Sequence, residues 1–125
     1  MTYVLLSPDL VVRIHDSALN SGELAGMALD KSLEGALARV DNRLVYGMIE
    51  DVFDLAAAYC VAVATGHAFN DANKRTAHLV LDICLDLNGV QLDHDTVEAG
   101  DLIREVAQRR IDEDTLADWL RAKAT

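Results

Sequence analysis

Residues that disfavour helices are scarce in this sequence. It contains one proline, seven glycines and only 5% aromatic residues among 125 positions. Proline and glycine are the residues least compatible with a helix interior, so their scarcity in an Ala- and Leu-rich chain favours an α-helical protein. Hydrophobic residues make up 51% of the chain, which excludes a disordered protein, and the length suits a single domain over residues 1–125.

Basic residues are also few. Eleven Lys and Arg stand against 21 Asp and Glu, which gives a formal net charge of −10. A surface of this charge repels nucleic acid, so we expect no direct binding to DNA or RNA. Against this background the adjacent pair Lys74-Arg75 is informative, because a basic pair in an acidic chain indicates a local site for a small anion.

Features of exported and membrane proteins are missing as well. The two cysteines, Cys60 and Cys84, lie in apolar stretches, and we expect buried, reduced thiols and no disulfide or metal site. The first residues include no basic segment, and their apolar run is too short for a signal peptide. No apolar run approaches the roughly 20 residues of a membrane span. We therefore expect a cytoplasmic protein without a membrane partner.

Hydrophobic periodicity and capping signals predict about six helices. The run Ser7-Pro8-Asp9 indicates the start of the first, since serine caps helices and proline suits their first position. The fourth helix is apolar on nearly every side, which is typical of a helix buried at the centre of a bundle. The predicted helices cover residues 8 to 20, 30 or 32 to 40, 43 to 65, 72 to 88, 96 to 109 and 113 to 123, with Asp112 as the cap of the last and a short extended piece at 90 to 92.

The segment between the third and fourth predicted helices carries the chemistry. It reads His67-Ala68-Phe69-Asn70-Asp71-Ala72-Asn73-Lys74-Arg75-Thr76. The first N–H groups of a helix have no intrahelical partner and carry partial positive charge, so they form an anion site. Lys74 and Arg75 are unfavourable beside that charge unless something negative offsets them, as a bound phosphate would.

Individual residues of this segment are compatible with two roles each. Asp71 is placed either to hold Mg²⁺ beside a phosphate or to cap the following helix. Asn73 is placed for hydrogen bonding in the first turn or for contact with phosphate. His67 is a general base if it lies beside the phosphate, although a lone histidine is more often structural. Phe69 is interpreted as an aromatic wedge that fixes the loop to the core.

The same segment resembles the motif of the Fic family, His-x-Phe-x-(Asp/Glu)-Gly-Asn-Gly-Arg. Ala72 and Lys74 replace its two glycines, and both replacements are typical of the Doc branch, the toxins of toxin–antitoxin modules. The resemblance implies the Fic/Doc fold, an all-α domain of about six helices packed around a buried central helix that follows the catalytic loop.

The resemblance also implies a reaction. It implies that ATP binds with its γ-phosphate facing the motif histidine and that a Ser/Thr hydroxyl of a protein receives this phosphate. His67 would deprotonate that hydroxyl and Asp71 would bind Mg²⁺. The phosphates would be held by Asn73, Lys74 and Arg75. The family target is elongation factor Tu, so the expected consequence is inhibited translation and growth arrest.

Two partners follow from the resemblance. The glycine-bracketed loop resembles the family's flap, which aligns the target segment by strand-like pairing; its residues here are Gly22, Leu24, Gly26 and Met27. A cognate Phd-like antitoxin is expected to place its C-terminal helix in a groove on the toxin.

Two alternatives remain open at this point. The first is AMP transfer of the ordinary Fic type, against which Lys74 argues because its side chain fills the space that a glycine leaves. The second is an inactive Fic-fold binding module. Two departures from the branch favour this second alternative. Where a member of the branch has an arginine and a polar residue, this chain has Thr65 and Leu79.

Overall fold

The computed structural model describes residues 2–93 and 96–124, and their architecture is all-helical. The described part of the chain contains no strand, only isolated antiparallel bridges that join Met27 to Phe69 and Leu92 to Ala124. The prediction of an all-α chain with six helices is confirmed. The helices are α1 (Pro8–Ala18), α2 (Leu33–Val45), α3 (Val52–Gly66), α4 (Asn73–Leu87), α5 (Thr96–Ala107) and α6 (Glu113–Lys123).

Side-chain caps fix where four of these helices begin. Ser7, Ser32, Asp51 and Asp112 each accept a hydrogen bond from a backbone N–H two or three residues into the helix. The predicted caps at Ser7 and Asp112 are therefore confirmed. Helix α4 begins differently, because Ala72 precedes it in the left-handed region, at φ 62°, and supplies no side-chain cap. The first-turn N–H groups of α4 are thus left for another partner.

The predicted third helix, residues 43 to 65, is wrong at its start. Residues 43 to 45 belong to α2, and the chain then turns through Gly47, whose φ of 73° is left-handed and stops the helix. Asp51 restarts it by accepting the N–H of Asp54. A continuous helix from 43 to 65 would place Val45 and Met48 on its apolar stripe, but after this break they are 78% and 65% exposed.

The core is built around α3 and α4, which pack against each other along their lengths. Helix α3 also contacts α2, α5 and α6, while α4 also contacts α1 and α5. The predicted central helix, α4, buries one face and leaves Asp82 and Asp86 on its more exposed side, so it shares the centre with α3. The buried face of α4 comprises Thr76, Ala77, Val80, Leu81, Cys84 and Leu85, and that of α3 comprises Leu55, Ala56, Ala57, Ala58, Tyr59, Cys60, Val63 and Ala64.

Both cysteines lie in this interface, buried and without a disulfide. Burial raises the pKa of Cys60 and raises that of Cys84 to about 12, so neither thiol ionises at neutral pH. The prediction of buried thiols is confirmed. No helix in the described ranges is long and apolar enough to cross a lipid bilayer.

Helix α6 is attached to the start of α3 by Arg121. Its Nε and Nη2 donate to the two carboxylate oxygens of Asp51 at 2.8 and 3.0 Å, and Nη2 also donates to Asp54 at 2.6 Å. The hydrogen bond from Arg121 holds the pKa of the Asp51 carboxyl below its usual value of 3.8. This cluster supports the α3 cap, and so it helps to place the helix that ends at the catalytic loop.

We expect Arg121→Met to lower the free energy of unfolding by about 1 kcal/mol at pH 7, because a paired, partly exposed network is lost. The folded-state pKa of Asp51 lies below the unfolded one, so this contribution is complete above the unfolded pKa and disappears as the pH falls through the folded one. Urea unfolding at pH 7 and below pH 4 measures the free energy of unfolding of the parent chain and of Arg121→Met. The difference between the two should be smaller at the lower pH. Arg104→Met, which removes an exposed pair within α5, is the control and should change stability less. A difference independent of pH would contradict the assignment.

Candidate active site

The residues that the sequence singled out line one pocket between the end of α3 and the start of α4. Its volume is about 470 Å³. The predicted catalytic, metal and phosphate residues all contribute to its wall, and so does a glutamate that the sequence reading did not select. The lining comprises Glu23, Ala64, His67, Asn70, Asp71, Ala72, Asn73, Lys74, Arg75, Ala107 and Gln108.

His67 ends α3 in a left-handed conformation, with φ 50° and ψ 38°. Gly66 is still helical, and the histidine itself takes the conformation that ends the helix. A non-glycine residue adopts this region at a cost of roughly 1 kcal/mol or more, which the surrounding packing must offset. The imidazole is exposed while the next two residues, Ala68 and Phe69, are buried, so the ring stays at the mouth of the pocket.

Asp71 holds the flap, which we define as residues 20–28. One carboxylate oxygen accepts the N–H of Leu24 at 3.2 Å, and the other lies 3.3 Å from the N–H of Ala72. Because Ala72 occupies the cap position and α4 has no side-chain cap, the interpretation of Asp71 as the helix cap is wrong. A carboxylate offers about four lone pairs, so both oxygens retain capacity for a further ligand.

The flap runs beside the catalytic loop, residues 67–73, as a short antiparallel pair. Ala28 donates its N–H to the carbonyl of Ala68 at 2.8 Å, and Asn70 donates its N–H to the carbonyl of Gly26 at 3.1 Å. The side chain of Asn70 also donates to the carbonyl of Ala25 at 3.0 Å. Of the predicted flap residues, Gly22 and Gly26 are left-handed, at φ 86° and 91°. The other two, Leu24 and Met27, expose apolar side chains.

Asn73 closes the catalytic loop on itself. Its side-chain oxygen accepts the N–H of Phe69 at 3.2 Å, and its side-chain nitrogen donates to the carbonyl of the same residue at 3.0 Å. The side chain thus binds the loop before the helix and not the first turn, and its contact with phosphate stays a prediction. One N–H of the amide group is left over for another acceptor.

The two cations of the motif differ in their environments. Lys74 is exposed and forms no ion pair within residues 2–93 and 96–124. The Nη1 of Arg75 donates to Glu23 at 2.7 Å and to the carbonyl of Ala18 at 2.9 Å, and its Nη2 lies 3.3 Å from the other Glu23 oxygen. This pair lowers the pKa of the Glu23 carboxyl and raises that of Arg75. Lys74 is thus the available cation, while Arg75 ties the flap to α4.

Sequence reasoning missed His15 as well as Glu23. His15 is fully buried in α1 and stacks on Phe69, with ring centroids 3.8 Å apart and planes 5° from parallel. Its Nε2 lies 2.8 Å from the carbonyl oxygen of Asp71. The only sequence signal was its position, four residues after Val11 on the apolar face of an amphipathic helix, where a histidine needs a polar partner.

The pocket suits a magnesium–phosphate ligand better than a metal held by protein alone. No group of three or more His, Cys, Asp or Glu placed to hold a metal occurs among the described residues. Mg²⁺ is usually bound by one or two carboxylates and completed by phosphate oxygens and water. Asp71, which lines the pocket next to the uncapped turn of α4, fits that donor set.

In the described part of this helical chain, an exposed histidine and an uncapped, cation-bearing helix start lie in one pocket. The sequence model described as "Fic/DOC family" matches residues 5–85, from before α1 into α4. Protein kinase doc of Escherichia phage P1 is 40% identical over 117 residues, which cover 93% of this chain and 92% of the relative. Toxin Doc of Mycolicibacterium smegmatis is 43% identical over 89 residues, 68% of each chain. The chain belongs to the Fic/DOC family.

We expect Glu23→Gln to tighten the binding of inorganic pyrophosphate several-fold, because it removes an anionic competitor for Arg75 from the pocket. The flap should also become looser, visible as faster hydrogen exchange of the amides at residues 22–26. Isothermal titration and hydrogen exchange measure the two effects. Glu34→Gln makes the same change of charge at an exposed position of α2 and is the control. It should change neither pyrophosphate binding nor hydrogen exchange in the flap. Unaltered or weaker binding in Glu23→Gln would show that the pair does not compete with anions.

Proposed function

We propose that this chain is the toxin of a toxin–antitoxin module and that it acts as a protein kinase, transferring the γ-phosphate of ATP to a Ser/Thr hydroxyl. The observation that carries the proposal is the common pocket of His67, the uncapped start of α4 and Lys74. The names of the two relatives, a protein kinase and a toxin, support it. Elongation factor Tu is the proposed acceptor, with inhibited translation and growth arrest as the consequence.

The proposed mechanism gives His67 the only proton transfer. Its exposed imidazole takes the proton from the acceptor hydroxyl as that oxygen forms a bond to the γ-phosphorus, while the bond from phosphorus to the ADP oxygen breaks. Positioning and charge stabilisation account for most of the rate enhancement in such a transfer, because the protein makes no covalent bond.

The phosphates lie at the start of α4 in this proposal. The free N–H groups of the first turn and the Lys74 ammonium neutralise their charge. Asn73 contributes its remaining amide N–H, and Arg75 contributes the donors that Glu23 and Ala18 do not occupy. Asp71 would hold Mg²⁺, which would supply positive charge to offset the charge that develops on the phosphates.

The flap and an antitoxin complete the proposal. The flap presents Leu24 and Met27 beside the catalytic loop, where an extended acceptor segment can pair with it and bring its hydroxyl to His67. A cognate Phd-like antitoxin restrains the toxin through a C-terminal helix, and both act in the cytoplasm without direct contact with nucleic acid or membrane.

We expect His67→Ala to lower phosphate transfer by roughly 10²- to 10⁴-fold and to abolish growth arrest, since the general base is lost. The thermal midpoint should barely change because the side chain is exposed. The assay incubates the chain with its acceptor and with ATP labelled at the α- or the γ-phosphate. Label arriving from the γ position alone supports the kinase. Label from the α position alone would mean AMP transfer, and full activity in His67→Ala would remove the general-base role.

We expect Lys74→Gly to weaken γ-phosphate transfer about tenfold or more, because one cationic contact to phosphate is lost. The smaller residue also opens the space that AMP transfer needs, so label from the α position becomes detectable. Lys31→Gly, on the loop before α2 and outside the pocket, is the control. If both labels transfer from Lys74→Gly as they do from the parent chain, the lysine does not select the reaction.

A further inference from the structure

A buried histidine outside the motif contacts the catalytic loop at two points. His15 lies in α1 and is 0% exposed, so its polar atoms need partners within the protein. One of these is the carbonyl oxygen of Asp71, 2.8 Å from Nε2. A carbonyl oxygen only accepts, so Nε2 carries the proton and donates. Nδ1 lies 3.4 Å from the Asp16 carboxylate at the surface edge of the ring.

The second contact is the face of the ring. His15 stacks on Phe69 at 3.8 Å and nearly parallel, so the same side chain fixes a buried aromatic two residues before the carbonyl that it binds. The opposite edge of the turn is closed by Asn73, whose amide binds both backbone groups of Phe69. His15 is therefore the contact that holds the turn from outside, and Asn73 closes it from within.

The peptide group between Asp71 and Ala72 links the Asp71 carboxylate to the first turn of α4. The carbonyl bound by His15 belongs to the peptide group whose N–H is that of Ala72, the left-handed residue before the uncapped turn of α4. Rotating this peptide would redirect both the Asp71 carboxylate and the first N–H groups of the helix. In this fold α1 fixes that orientation through one hydrogen bond.

We propose that His15 is a positioning residue for the reaction: by donating from Nε2 to the Asp71 carbonyl while stacking on Phe69, it sets the orientation of the anion-binding turn. It does not touch the substrate. The inference rests on the proposed phosphate transfer for its kinetic consequence, but its structural part concerns the turn itself and is measurable without any acceptor.

Three variants separate packing from positioning. His15→Phe keeps an aromatic ring against Phe69 and removes the donor, while His15→Gln keeps a donor and removes the stack. Tyr59→Phe is the matched control, because Tyr59 is also fully buried and its hydroxyl donates to Asp41 at 2.6 Å, in the core and outside the pocket.

We expect His15→Phe to lower kcat about 10- to 100-fold with little change in KM for the acceptor, because the reacting groups are displaced while the flap still binds it. The amide chemical shifts of residues 70–74 should move, and the affinity for Mg-pyrophosphate should fall. His15→Gln should recover part of kcat and of the shifts. Tyr59→Phe should lower the thermal midpoint about as much as His15→Phe does. It should leave kcat and the amide shifts of residues 70–74 unchanged.

Other results would overturn the assignment. If His15→Phe loses stability as Tyr59→Phe does but keeps kcat and the loop shifts, His15 is only a packing residue. If His15→Phe does not fold, nitrogen-15 spectra of the parent chain decide: a ring protonated at Nδ1 alone contradicts the hydrogen bond. A parent chain that transfers no phosphate refutes the proposed function, whereas the shifts and the pyrophosphate affinity still test His15.

Discussion

The left-handed backbone of Ala72 is the constraint on which the site depends. It turns the chain into α4 without a side-chain cap, so the partial positive charge of that helix end faces the pocket. Every other cap seen in the described helices uses a serine or aspartate in the extended region. An alanine costs more than a glycine in this conformation, and the loop holds it there through Asn73, Phe69 and the contact from His15.

Electrostatics in the pocket is arranged by pairing rather than by an excess of positive charge. The chain is strongly acidic, yet at the start of α4 Lys74 forms no ion pair with any residue that the structure describes, whereas Arg75 is bound by Glu23. The arginine thereby acts on the flap, and the lysine stays exposed to a ligand. On an otherwise acidic chain, this helix start is therefore a local region of positive potential, which favours a small anion.

The sequence predicted most of the helices and the composition of the pocket, because those depend on local signals. Ser7 and Asp112 cap as expected, and seven of the nine residues from His67 to Arg75 line one cavity. The break between α2 and α3 was missed because apolar periodicity continues across Gly47, and only tertiary packing shows that Val45 and Met48 face outward.

Roles that depend on distant partners were also beyond the sequence. Nothing near Glu23 indicates that it pairs with Arg75, and nothing near Asp71 or Asn73 indicates their contacts with Leu24 and with Phe69. His15 is the clearest case, since its partner lies 56 positions along the chain. Local patterns identify which residue types can do chemistry, whereas their hydrogen bonds decide which of them are still available for it.

The antiparallel pairing of the flap with the catalytic loop determines when the pocket can form as the chain is synthesised. The flap precedes α2 in the chain and the catalytic loop follows α3. Neither helix formation nor the motif alone therefore creates the pocket. A polypeptide still being synthesised cannot form this pocket until α4 has emerged, because Asn73, Lys74 and Arg75 in the first turn of α4 are part of its wall. Local opening of α1 from α4, which needs less free energy than global unfolding, would disturb the pocket again.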